Sequence, residues 1–317
     1  MHWGSKLVAG AVAVGCVAAA GGVETATRQH TAAHVAPAAP AAIGLTATQS
    51  RPRTPPAKRQ APGRNLGTAA VQDAKKGVSV WSFNGVKKAL AESGASWYYT
   101  WAAAHAGIAS PRRVRFVPMI WGAGSVTAAT MRLVKHEGHY LLGFNEPDNS
   151  GQSNMTVSQA LALWPRLMAT GMKLGSPAVA TGAATPGGWL DRFMRGAKHR
   201  DYRVNFIAVH WYGGDFATGA AVGQLKSYLR AIHARYHLPI WLTEFALIRF
   251  GATVSFPPPH QQAAFVTAAA RMLQRLTYVQ RYAWFALPAT SGDGTAGLFR
   301  PGPVATAAGR AFEAIHN

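Results

Sequence analysis

Cysteine and acidic side chains are the scarcest chemistry in this 317-residue chain, which has one cysteine, and 12 aspartates and glutamates against 32 lysines and arginines. The lone Cys16 sits in an N-terminal apolar stretch, so the rest of the chain can hold neither an internal disulfide nor a cysteine-ligated metal, and packing must stabilise the fold. The 12 histidines show no ligand spacing with acids, so neither a metal nor another cofactor is expected. No Gly-rich phosphate loop follows the first strand-like run, which argues against a doubly wound nucleotide-binding sheet. No nucleic-acid motif accompanies the net charge of +20, and the cations fall mostly on predicted helices, as on solvated outer faces. Nucleic acid is therefore not an expected partner, and adhesion to an anionic cell envelope is the better use of the charge.

What is present divides into three stretches. Residues 1–26 predict a signal peptide, with Lys6 in a positive start, an uncharged run from Leu7 to Ala20, and Ala18-Ala19-Ala20 as a small-residue cleavage pattern. The chain is thus expected to be secreted. Ala13-Val14-Gly15-Cys16 bears a weak likeness to a lipoprotein box, and an uncleaved anchor is the other alternative. Residues 27–75 are rich in Pro, Ala and Arg, resist helix and sheet alike, and predict a disordered linker. Residues 76–317 predict one folded, monomeric domain. With 49% hydrophobic residues overall, the chain has apolar material for a single large core.

Within that domain, strand-like runs recur at 77–81, 96–101, 115–121, 140–146, 173–179, 204–212, 239–245 and 279–287. Helical periodicity fills most gaps, most clearly at 157–172, 222–236 and 261–276. Eight such units in about 240 residues describe an α/β fold, a single (β/α)8 TIM barrel.

In a barrel the chemistry sits at the C-terminal ends of the strands, where Glu146 and Glu244 close the fourth and seventh runs. Burying a carboxylate in an apolar strand is costly, so two such acids at one mouth predict a catalytic pair. Alternation places Leu142, Phe144 and Glu146 on one row, and Ile240, Leu242 and Glu244 on another, both rows facing the core. Asn145 is a candidate donor to a substrate hydroxyl. His210 and Tyr212 end the sixth strand, where they would hold Glu244 in place. Trp81, Trp121, Trp211 and Trp284 fall at or near strand ends, where an indole face can stack on a sugar. Trp164, Trp189 and Trp241 are expected to be packing residues, and Trp97 and Trp101 are open to either role.

Asn145-Glu146-Pro147 after an apolar strand, with a second glutamate closing strand seven, resembles the clan A retaining glycoside hydrolases. Gly143-Phe144-Asn145-Glu146-Pro147-Asp148, Phe206 to Tyr212 and Trp241-Leu242-Thr243-Glu244-Phe245 together resemble glycoside hydrolase family 128, over about Lys76 to Phe312. That resemblance implies a β-1,3-glucan substrate, Glu146 as acid/base and Glu244 as nucleophile. Endo action is expected, because nothing in the sequence marks a blocked pocket. The two roles would require Glu146 to rest protonated and Glu244 ionised. Two other readings stand beside this one: a clan A β-1,4-glycanase acting on mannan, xylan or glucan, and a non-catalytic, envelope-associated glycan-binding protein.

Overall fold

A computed structural model describes residues 75–290 and 294–316; the signal-peptide region and the linker up to residue 74 lie outside the described residues. All eight predicted runs carry parallel strand pairing. The strands are β1 (Lys76–Ser79), β2 (Trp97–Tyr99), β3 (Arg115–Phe116), β4 (Tyr140–Leu141), β5 (Lys173–Leu174), β6 (Ile207–Gly213), β7 (Ile240–Leu247) and β8 (Val279–Trp284). Six of them form a sheet in the order β3-β2-β1-β8-β7-β6, and β4 pairs with β5. Isolated parallel bridges join Met119 to Leu142 and Gly175 to Phe206, which link β3 to β4 and β5 to β6 and so close the ring. A short hairpin of β9 (Phe299–Arg300) and β10 (Val304–Ala305) follows. The architecture is a (β/α)8 barrel.

Seven α-helices surround it among the described residues: α1 (Val86–Glu92), α2 (Ala128–Val134), α3 (Val157–Met168), α4 (Trp189–His199), α5 (Thr218–Tyr236), α6 (Pro259–Arg275) and α7 (Ala307–Glu313). Sequence sets their limits. Thr156 and Gln159 form a capping box that starts α3, and Ala160, Leu161, Trp164 and Leu167 give that helix its buried stripe. Between β2 and β3 a loop takes the place of a helix. It is tied to the wall where His105 Nδ1 lies 2.9 Å from the Tyr98 hydroxyl and His105 Nε2 lies 2.7 Å from Glu137 Oε2.

The barrel interior is aromatic where such cores are usually aliphatic. Trp97, Tyr99, Phe206 and Trp241 fill it, with Phe206 stacked on Trp241 at 4.2 Å and Trp97 5.3 Å from Trp241. The buried Arg281 guanidinium lies 4.3 Å from the Trp241 ring centre and 4.6 Å from that of Tyr140. This filling dictates Gly77 on the neighbouring strand, since a β-carbon there would sit 2.3 Å from the Trp97 indole.

The seam between the first strand and the last helices is latched by two lysines. Lys75 Nζ donates to the Gln274 and Leu276 carbonyls at the end of α6, at 3.1 and 2.9 Å. Lys76 Nζ donates to those of Phe312 and Ile315 at the end of α7, at 2.6 and 2.7 Å. Lys75 therefore belongs to the barrel and not to the linker in which its composition had placed it.

Candidate active site

Glu146 and Glu244 meet at the barrel mouth with the buried His210 between them. Ligand atoms of all three residues lie within 4.8 Å of one another. His210 Nδ1 is 2.9 Å from Glu146 Oε1, and its Nε2 is 3.4 Å from Glu244 Oε1. Asn149 Nδ2 donates to Glu146 Oε2 at 3.1 Å. Glu244 is the more heavily held. Its Oε1 accepts from Tyr99 Oη at 3.1 Å and Trp101 Nε1 at 2.7 Å, and its Oε2 accepts from the Tyr212 hydroxyl. Such a triad can also ligate a cation. Here the donors already directed at both Glu244 oxygens fit a carboxylate stabilised by hydrogen bonds.

Both carboxylates reach the mouth by a departure from regular strand geometry, and the expected core-facing rows are corrected accordingly. Phe144 faces outward against Trp164, 6.0 Å between ring centres, although Leu142 faces the interior. Glu146 turns inward with φ at 40°, in left-handed backbone space that costs a non-glycine residue about 1–3 kcal/mol. On β7, Ile240 and Leu242 pack in the outer layer while Trp241 occupies the barrel interior. The register then slips: Val209 pairs with Leu242 but His210 pairs with Glu244, so Thr243 is the extra residue of a β-bulge that re-aims Glu244 inward. Trp101, a donor to Glu244, also has positive φ, at 55°.

The surroundings push the two carboxyls in opposite directions. Burial raises Glu146, but the hydrogen bond and charge of His210, with Asn149, outweigh it and hold this carboxyl below the usual glutamate range. Burial pushes Glu244 above that range, against the opposing pull of His210, Tyr212 and Trp101. Burial alone would lower His210, yet Glu244 and Glu146 raise it above an ordinary histidine. Glu146 and His210 thus share one proton along their 2.9 Å contact.

Asn145 Nδ2 gives one of its two hydrogens to Gln152 Oε1 at 3.2 Å, and its buried Oδ1 has no donor, so the side chain keeps both a hydrogen and an acceptor unused. Of the four tryptophans proposed as a sugar platform, the half-buried Trp81 lines an apolar cleft with Phe250 and Phe285, and Trp121 caps the interior cluster beside Asn145, whose N–H bonds the Trp121 carbonyl at 2.9 Å. Trp284 is fully buried and packs on Phe245, so it cannot meet a substrate. Trp211 stacks on Phe265 of α6, in the outer layer. Sequence reasoning missed Tyr99 and left Trp101 undecided. The signal was available, because Trp97, Tyr99 and Trp101 share one strand parity and all three turn inward.

Comparison with known proteins places this geometry. The family model described as glycosyl hydrolase catalytic core matches residues 77–312. An endo-β-1,3-glucanase of glycoside hydrolase family 128 subgroup I from Amycolatopsis mediterranei, solved with laminaritriose, is 55% identical over 76% of this chain and 98% of that one, with a TM-score of 0.73. A subgroup II endo-β-1,3-glucanase from Sorangium cellulosum is 26% identical over 77% and 99% of the two chains, with a TM-score of 0.65. Alkali-sensitive linkage protein 1 of Schizosaccharomyces pombe is 33% identical over 204 residues, or 62% of this chain; the match spans only 35% of that longer protein.

Proposed function

The chain belongs to the glycosyl hydrolase catalytic core family and, within it, to glycoside hydrolase family 128, and on that premise we propose a secreted endo-β-1,3-glucanase that works by retaining double displacement. The observation that carries the reading is the close carboxylate pair. Retention needs the two carboxyl groups roughly 5–5.5 Å apart, and the Glu146–His210–Glu244 set keeps its ligand atoms within 4.8 Å. An inverting enzyme needs a wider gap to admit a water.

In the first step a Glu244 oxygen bonds to the anomeric carbon as the glycosidic C–O bond breaks, and the departing oxygen takes the proton shared by Glu146 and His210. In the second, water attacks the same carbon, Glu146 takes up the water proton, and Glu244 leaves as a carboxylate. Tyr99, Trp101 and Tyr212 stabilise the charge that returns to Glu244. Asn145 Oδ1 accepts from the hydroxyl next to the anomeric carbon. Support for the two roles comes from the A. mediterranei enzyme. Glutamate-to-alanine variants of it are solved with laminari-oligosaccharides, and the two glutamates replaced are separated along that chain by one residue fewer than Glu146 and Glu244 are here.

Glu244→Ala should lose turnover and regain it with azide, giving a glycosyl azide of inverted configuration. Rescue absent in a folded variant would remove the nucleophile role. Digestion of linear β-1,3-glucan beside β-1,4-glucan, mannan and xylan tests the substrate, and release from a β-1,4 polymer alone would overturn it.

A further inference from the structure

The outer wall of the barrel carries a second cavity that the hydrolytic reading does not use. It is a groove of about 330 Å³ between α2 and α3, lined by Arg132, Lys135 and Arg166, the hydroxyl side chains of Thr127 and Thr170, and otherwise only by two alanines and a methionine. No acid lines it. Residues 126–175 contain three carboxylates, of which Glu137 faces His105 at 2.7 Å and Glu146 and Asp148 belong to the barrel mouth. None of the three groove cations forms an ion pair among the described residues. Arg166 is pre-positioned, since one guanidinium nitrogen donates to the Val126 carbonyl at 3.2 Å and the others stay available. Arg203 continues the row past the end of α3, where its Nη2 donates to the Met168 and Met172 carbonyls.

We infer that this groove binds a flexible, phosphodiester-bearing envelope polymer, a polyol phosphate, and tethers the enzyme by its outer wall while the mouth stays open to glucan. The inference rests on the reading of the chain as an exported enzyme that stays at an anionic envelope. Two guanidinium forks and an ammonium supply charge-assisted donors to phosphate oxygens, whereas the threonine hydroxyls are engaged locally, Thr170 Oγ1 donating to the Leu167 carbonyl at 2.6 Å and Thr127 Oγ1 capping α2. A nucleic acid fits less well, because no aromatic side chain lines the groove to stack a base.

The test is titration of the full chain with poly(glycerol phosphate) at an ionic strength of about 0.15 M. The variant Arg132→Gln/Lys135→Gln/Arg166→Gln is compared with Lys87→Gln/Arg230→Gln/Arg271→Gln, which removes the same charge from other exposed positions. The groove variant should bind about tenfold more weakly or worse, with a flatter salt dependence, and the control should change less than about twofold. Equal losses would reduce the effect to net charge and overturn the site. So would absence of binding by the unaltered chain, or tighter binding of polygalacturonate or single-stranded DNA than of the polyol phosphate. Laminari-oligosaccharide hydrolysis, measured on the same samples, should be unchanged in both variants, so failure of the tether and failure of the glucanase reading are separately visible.

Discussion

Replacing Tyr212 by phenylalanine isolates one hydrogen bond at the heart of the site. The ring stays where it packs, edge-on to Phe250 at 5.2 Å and to Phe285 at 5.5 Å, and only the hydroxyl that Glu244 Oε2 accepts from is removed. A buried hydrogen bond to an ionised acceptor contributes about 1.5–3 kcal/mol, which equals about 1–2 pH units. As the proposed nucleophile Glu244 must be ionised to attack, so activity should rise as pH climbs through its pKa, already raised by burial. Without the Tyr212 donor the ionised form is less stable, the pKa rises further, and the acid limb of kcat/KM moves up by about 1–2 units. The same donor stabilises the charge that returns to Glu244 when the glycosyl-enzyme is hydrolysed. Deglycosylation should therefore slow by about 10–100-fold, and an activated aryl glycoside should release its phenol in a burst. An unmoved acid limb with no burst would refute both the placement of the bond and the nucleophile role.

Three further outcomes are expected. The alkaline limb should follow loss of the proton shared by Glu146 and His210, so it lies above the ordinary histidine value; His210→Gln should shift it to lower pH and slow poor leaving groups far more than aryl glycosides, as a pH–rate profile on both substrates would show. Asn145→Ala should cost about 10–100-fold in kcat/KM on an ordinary oligosaccharide and almost nothing on a 2-deoxy analogue; Gln152→Glu, which keeps the acceptor for Asn145 Nδ2, should preserve that discrimination, and Gln152→Leu should erode it. Burial lowers Lys76 to about 8, against the opposing pull of Glu313, so between that value and its unfolded value of 10.5 the unfolded chain binds more protons and stability rises with pH; Lys76→Met should lose this slope in thermal unfolding measured across about pH 8–9.5.

The barrel was legible because its strands are buried on both faces and so appear as continuous apolar runs, as in β7, where every residue from Ile240 to Leu247 is buried. The meeting of Glu146 and Glu244 was legible for a related reason, since an acid ending such a run has few uses other than at the mouth. The tryptophans were not. A strand end offers its last residues alternately to the mouth and to the helix layer, and the parity at each end depends on bulges. Trp284 falls on the helix side with Phe245 and Phe265, whereas Trp101, two residues beyond Tyr99, falls on the mouth side.

The bulge at Thr243 shows why composition alone could not settle the parity. Regular alternation from the interior-facing Trp241 would turn Glu244 toward the helices, burying a carboxylate among apolar side chains with no donor in reach. One inserted residue rotates the end of the strand. The bulged Thr243 is itself held, with its Oγ1 donating to the Val209 carbonyl at 3.2 Å and its own carbonyl accepting from the Tyr99 hydroxyl at 3.0 Å. Tyr99 therefore directs its single hydroxyl hydrogen between the backbone that makes the bulge and the carboxylate that the bulge delivers, 3.0 and 3.1 Å away. The distortion and the aim of Glu244 are one device, and the residue that ties them together lies on a different strand, where local parity marks Tyr99 as inward-facing but not which group it meets.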